Sequence, residues 1–137
     1  MLNVFLLTYF TKKLDLAVIE SNNTITANYG DYVHSIFKKT SIYDCQKKFL
    51  NDVKINNVDI LLFDTDVHVL ESTFSFFIDV HIINPLIKII LFSKYADYNF
   101  FMKCLKYNIS GLMTNKSNEQ DLRDFFKISV KKILMKR

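Results

Sequence analysis

Glycine and proline are nearly missing. The 137 residues hold two glycines, Gly30 and Gly111, one proline, Pro85, and no tryptophan. No glycine-rich loop is therefore available to wrap the phosphates of a nucleotide. Cysteine is just as scarce: Cys45 and Cys104, far apart, make neither a disulfide framework nor a cysteine-rich zinc site. His34, His68 and His81 share no metal-ligand spacing with one another or with the cysteines. No G-x-S-x-G elbow occurs, and the order of Ser, His and Asp residues argues for no triad. A run of about twenty apolar residues is also lacking, so no membrane span is expected. The opening MLNVFLLTYF is only ten residues long, has no basic stretch or cleavage site, and meets Lys12 and Lys13 afterwards, so no signal peptide is expected. The IINPLIKIILF run is broken by Pro85 and Lys88 and reads as a loop entering a buried strand.

What is present is apolar bulk. Half of the residues are hydrophobic, with thirteen Phe and seven Tyr, which argues against disorder. The length suits one domain; within these 137 residues a separate DNA-binding module behind a full-sized first domain is not expected to fit. The net charge of +4 is lopsided. Residues 127–137 contain Lys127, Lys131, Lys132, Lys136 and Arg137 and no acid, while the first 126 residues carry 13 bases against 14 acids. The basic character thus belongs to the last helical turns, as a solvated face with cations at a helix C-terminus or as a partner-contacting tail.

Short apolar runs alternate with segments of helical spacing, and no internal repeat or linker divides them. Strands are predicted at Leu14–Ile19, Asp59–Phe63, Lys88–Phe92 and Gly111–Thr114, with a weaker one near Thr40–Tyr43. Runs apolar at every position belong to parallel sheets covered on both faces. Between them, 24–38 carries Ile25, Tyr29, Tyr32, Val33, Ile36 and Phe37 at three-to-four spacing. Phe49, Leu50 and Val53 form a short stripe. Phe74, Phe77, Ile78, His81 and Ile82 form another, with His81 a core or edge histidine. Tyr98, Phe101, Met102 and Leu105 line the next, beside Cys104, which reads as packing. The last helix starts after Ser117 or Asn118 and buries Leu122, Phe125, Phe126, Ser129, Ile133 and Leu134. Five βα units predict an α/β, doubly wound, five-stranded parallel sheet in a three-layer sandwich.

Chemistry in such a sheet gathers at the carboxyl ends of the strands. Those ends read Glu20-Ser21, Asp64, Ser93 and Asn115-Lys116. Here the chain resembles the receiver domain of bacterial two-component response regulators, a flavodoxin-like fold. The resemblance is carried by VIESNN (18–23), VDILLFDTDV (58–67), IKIILFS (87–93) and NISGLMTNKSNEQDL (108–122), and by the successive intervals of 44 residues from Glu20 to Asp64, 29 from Asp64 to Ser93 and 22 from Ser93 to Asn115. It covers about residues 14–135. It implies that Asp64 is the phosphoacceptor, that Glu20 is the first member of a Mg²⁺-holding acidic pair, and that Ser93 is the hydroxyl contacting phosphoryl oxygens. The pattern is degenerate. Ser21 stands at the second acidic position, Asn115 stands where the lysine is expected with Lys116 one place later, and Leu112 replaces the switch aromatic. Glu20 and Asp64 still supply two carboxylates, with Asp66 in reserve, so Mg²⁺ ligation is weakened rather than abolished.

Residues 1–13 lie outside the usual receiver boundary, which leaves 14–137 as the receiver-like domain. They are too apolar to be solvated and are expected to pack on the domain or on a second chain, as an edge strand or a helix. A competing register makes Leu2–Leu7 the first strand; it puts about a dozen extra residues before Asp64 and removes the acidic residue, so the Glu20 register is preferred. The expectation is a cytoplasmic, non-enzymatic, degenerate receiver (a pseudo-receiver) acting by protein contact in signal transduction or transcription control. It pairs as a homodimer through the aromatic 98–107 stripe and the last helix. Its partners are a histidine kinase or a transcription regulator, with no membrane contact, and nucleic acid is reached only through a separate domain or partner. The alternatives are a phosphorylatable response regulator using Asp64 and the N-terminal regulatory domain of a DNA-binding regulator.

Overall fold

The computed structural model describes residues 3–52, 55–65, 70–94 and 98–135. Helix α1 (Val4–Thr11) comes first, and Asn3 caps it by accepting from the Leu6 amide at 2.9 Å. The order then runs β1 (Asp15–Ile19), α2 (Thr26–Ile36), β2 (Lys39–Tyr43), α3 (Gln46–Asn51), β3 (Ile60–Asp64), α4 (Leu70–Ile83), β4 (Lys88–Phe92), α5 (Tyr98–Cys104), β5 (Ile109–Met113) and α6 (Glu119–Met135). All five strands are parallel, in the order β2-β1-β3-β4-β5. The chain therefore reverses its direction of travel across the sheet between β1 and β3, the position where α/β sheets open a crevice.

Why the strands read as unbroken apolar runs is visible in their burial. Leu16 and Val18 point into one core with Val33 and Ile36 of α2 and Leu122, Phe126 and Val130 of α6. Their neighbours Ala17 and Ile19 point into the other, with Phe49 of α3, Phe76, Phe77 and Val80 of α4, and Cys104 of α5. Alternate residues face opposite ways along a strand, so a sheet covered on both sides needs apolar residues at every position. Strand β2, one of the two sheet edges, is the exception: its residues are exposed or half-buried.

Several boundaries differ from the sequence expectation. Strand β3 starts one residue later and β5 two residues earlier, and the 24–38 segment becomes helical only at Thr26. The N-terminal segment is a helix, which excludes the Leu2–Leu7 strand register; Leu7 and Thr11, one turn apart, are its buried side. The inward face of α4 is turned from the expected stripe. Phe76, Phe77 and Val80 are buried, whereas Ile78 and Ile82 are 50 % and 75 % exposed. Leu134, also expected in the core, is exposed, and so are Met102 and Leu105 of the 98–107 stripe. Val53, Asp66, His68, Lys136 and Arg137 lie outside the described residues.

The junction of β4, β5 and α6 explains one of the two glycines. The β4–β5 register slips by one, so that Ile89 faces Ile109 but Ile90 faces Gly111. At Gly111 the ring of Phe125 in α6 lies so close that a Cβ would stand 2.3 Å from two of its carbons. Helix and strand can approach this far only because the side chain is absent.

Candidate functional site

Strand β1 delivers Glu20 to the carboxyl edge of the sheet, and the loop behind it decides where that carboxylate goes. Asn22 and Asn23 both adopt left-handed backbone, with φ of 55° and 56°. Asparagine tolerates this conformation better than most residues. The tight turn brings the start of α2 back over Glu20. Its Oε1 accepts from the amides of Ile25 and Thr26, each at 2.8 Å, and its Oε2 accepts from the Thr26 hydroxyl at 2.7 Å. Helix α2 has no side-chain cap of its own at Ile25. Glu20, 3 % exposed, supplies that cap and a negative charge at the positive end of the helix.

Asp64 ends β3 and is 4 % exposed. Its Oδ2 accepts from the Thr24 hydroxyl at 2.5 Å, a short charge-assisted bond. Ser93 follows β4 and is buried; its amide donates to the Met113 carbonyl at 2.9 Å, which ties the ends of β4 and β5 together. Strand β5 closes in a turn in which the Thr114 amide donates to Ser117 Oγ at 2.9 Å and the Lys116 amide donates to Thr114 Oγ1 at 3.2 Å. Asn118 and Asp121 then cap α6 reciprocally, each side chain accepting from the other's amide.

These ends surround a cavity of about 650 Å³. Asp64, Ser93 and Asn115 line it, joined by Ser21 and Thr24 from the first loop and by Thr114 and Ser117 from the last. Tyr29 and Phe92, rings 5.9 Å apart, give it an apolar side. Two of the expected site residues are elsewhere. Glu20 lines a separate pocket of about 310 Å³ with Tyr43, Asp44 and Lys48, and exposed Lys116 lines neither. The cavity lysine is Lys94, next after Ser93, which the sequence reading missed. The signal was present in its position: a cation directly behind the strand-end hydroxyl. Leu112 stays half-buried within β5.

Among the described residues, this donor set does not fit Mg²⁺ in the manner the receiver resemblance implies. Mg²⁺ wants near-octahedral oxygen ligation and one or two carboxylates. Among the described residues the sheet edge offers the cavity only Asp64, because the oxygens of Glu20 are turned to α2. Glu119, on the α6 side, is paired with Arg123 at 3.3 Å. No cluster of three or more metal-ligating His, Cys, Asp or Glu side chains occurs among the described residues.

The thiols are not part of this site. Cys104 is fully buried, and burial pushes its thiol up from 9.0 to about 12. Cys45 is half-buried. A thiol reagent at pH 8 should therefore titrate one cysteine in the native protein and two after denaturation. Immediate native reaction at Cys104 would contradict its placement. The unfolded chain releases the Cys104 proton first, so stability should fall as pH rises from 9 towards 12.

No family model matches the sequence, and no curated protein does. Solved structures match closely in shape. A putative pilus assembly-related protein from Burkholderia pseudomallei K96243 superposes with a TM-score of 0.76 at 12 % identity, over 90 % of this chain and 94 % of that one. A CheY-like response regulator receiver domain protein from Methanospirillum hungatei JF-1 gives 0.69 at 19 % identity, covering 90 % and 96 %. RcsB from Salmonella enterica serovar Typhimurium, bound to the promoter rprA with the phosphomimetic BeF3-, gives 0.70 at 10 % identity, covering 85 % and 98 %. Five parallel strands in this order, helices on both faces and these neighbours together mean that the chain has the CheY-like, flavodoxin-like receiver fold.

Proposed function

We propose that this chain is a receiver-type signalling module that acts by contact with other proteins, as a binding module rather than an enzyme, and without standard phosphorylation of Asp64. The observation that carries the reading is the position of Glu20. The carboxylate that would complete a metal-holding pair is engaged as the cap of α2. The departure at the lysine position adds to it, since Asn115 stands there and Lys116 lies outside the cavity. Phosphoryl transfer is catalysed by positioning and charge neutralisation, and both are diminished when the metal and the cation are displaced. Output then comes from surfaces. A homodimer would use the outer faces of α5, the turn that follows it and α6, where Met102, Leu105, Ile128 and Leu134 are exposed. A histidine kinase or a transcription regulator remains the partner class, and the likeness to promoter-bound RcsB supports the transcription branch.

A phosphorylatable regulator is the second reading. It is favoured by one observation: Asp64, Ser93 and Lys94 line the same cavity. Incubation with acetyl phosphate and Mg²⁺, followed by intact-mass measurement, separates the two. The expected result is no added phosphoryl group. A labile gain on the wild type that disappears in Asp64→Asn would establish the second reading instead.

A further inference from the structure

Helix α1 buries Leu7 and Thr11 against the domain and turns a different set of side chains outward. Phe5 is 87 % exposed, Tyr9 56 % and Leu6 45 %. Positions 5, 6 and 9 share one side of the helix, and that side continues into Lys12 and Lys13. Lys13 Nζ donates to the Tyr9 hydroxyl at 2.8 Å and lies 4.1 Å over its ring. The Lys38 amide donates to the carbonyls of Thr11 and Leu14, which seats Lys38 and Lys39 beside the end of α1. Helix α6 packs on α1 and adds exposed Lys131 and Met135, the latter 86 % exposed. Residues 3–14, 37–43 and 125–135 contain no acid. Asp15, the next acid along the chain from α1, has Oδ1 buried.

From this juxtaposition of exposed aromatics and lysines we infer that the α1 end of the domain docks on the surface of an anionic lipid bilayer. A second copy is a poor occupant, because a two-fold interface would set this lysine cluster against itself. An anionic lipid surface meets both halves of the patch: the lysines sit among the headgroups, and Phe5, Leu6 and Tyr9 enter the boundary with the acyl chains. Aromatic rings with a basic rim suit that boundary. This is lying on a membrane, not crossing it. Eight residues rise only about 12 Å, and no described helix is long and apolar enough to span.

Co-sedimentation of the full chain with vesicles of phosphatidylglycerol and phosphatidylcholine in equal parts, against phosphatidylcholine alone, tests it. Binding is expected only to the anionic vesicles and should fall with added salt. The double variant Phe5→Ser/Tyr9→Ser should weaken it at least tenfold, and so should Lys12→Glu/Lys13→Glu. The exposed positions leave the core intact, which the thermal melt of each variant verifies. No binding to anionic vesicles, or binding unchanged in both variants, would overturn the proposal. So would a Phe5→Ser/Tyr9→Ser variant that alters only the oligomeric state, since the face would then be a protein contact.

Discussion

Replacing Gly111 by alanine should cost about 3 kcal/mol of folding stability, a loss typical of overpacking a core site. A single domain is stable by roughly 5–15 kcal/mol, so this one methyl group would remove a large fraction of the total. The contact is with the body of the ring: the added carbon would stand 2.3 Å from Cγ and Cδ1 of Phe125 and 2.6 Å from Cδ2. Cγ cannot swing away as a flexible chain end can, so relief requires α6 to lift from β5 or Phe125 to leave its rotamer. Lifting α6 would also loosen Leu122, Phe126 and Val130, which are buried against the sheet. Chemical denaturation with the wild type as reference measures the loss. The double variant Gly111→Ala/Phe125→Ala should be strongly non-additive, because removing the ring removes the clash. An alanine variant within about 0.5 kcal/mol of wild type would show that the helix–strand approach is looser than described.

The sheet was legible because its physics is written locally. DILLF and KIILF admit no solvated face, and a run apolar at every position has little alternative to a doubly covered strand. Strand β4 lies at Lys88–Phe92, where the pattern put it. Strand β2 was faint because KTSIY is exposed or half-buried throughout, so little hydrophobic signal is needed there. The N-terminal segment could be read as helix or strand, since so short and mostly apolar a stretch suits either period. Which face of a helix turns inward was harder. Helix α4 carries Phe74, Phe76, Phe77, Ile78, Val80, Ile82 and Ile83, too many apolar residues to define one stripe. The site was less legible than the fold. Strand-end positions follow from counting, but the direction of a side chain beyond a strand end depends on the loop. The left-handed pair Asn22-Asn23 turned α2 onto Glu20, and the hydroxyl-closed 114–117 turn left Lys116 outside the cavity. A helix start with no Ser, Thr, Asp or Asn cap at Ile25, five residues after a glutamate, was the available clue.

The consequence for Glu20 is measurable, and it separates a structural carboxylate from a metal ligand. Glu20→Ala should destabilise the metal-free protein by about 2–3 kcal/mol, because it strips a shared acceptor from the amides of Ile25 and Thr26. The Ile25 amide belongs to a buried hydrogen bond, so water replaces the lost partner poorly. Glu20→Gln keeps a carbonyl oxygen for both amides and loses only the charge at the helix N-terminus and the ionic bond from Thr26 Oγ1. Its cost should be smaller, about 1 kcal/mol. Amide hydrogen exchange should report the same order, with faster exchange at the first turn of α2 in Glu20→Ala than in Glu20→Gln. A residue kept only to hold Mg²⁺ behaves differently. Its removal relieves repulsion among carboxylates in the metal-free protein, leaves α2 unchanged, and makes alanine and glutamine equivalent. If the two variants matched each other and the wild type in denaturation without metal, the capping role of Glu20 would be refuted. Glu20 would then be available to Asp64 as an acidic partner.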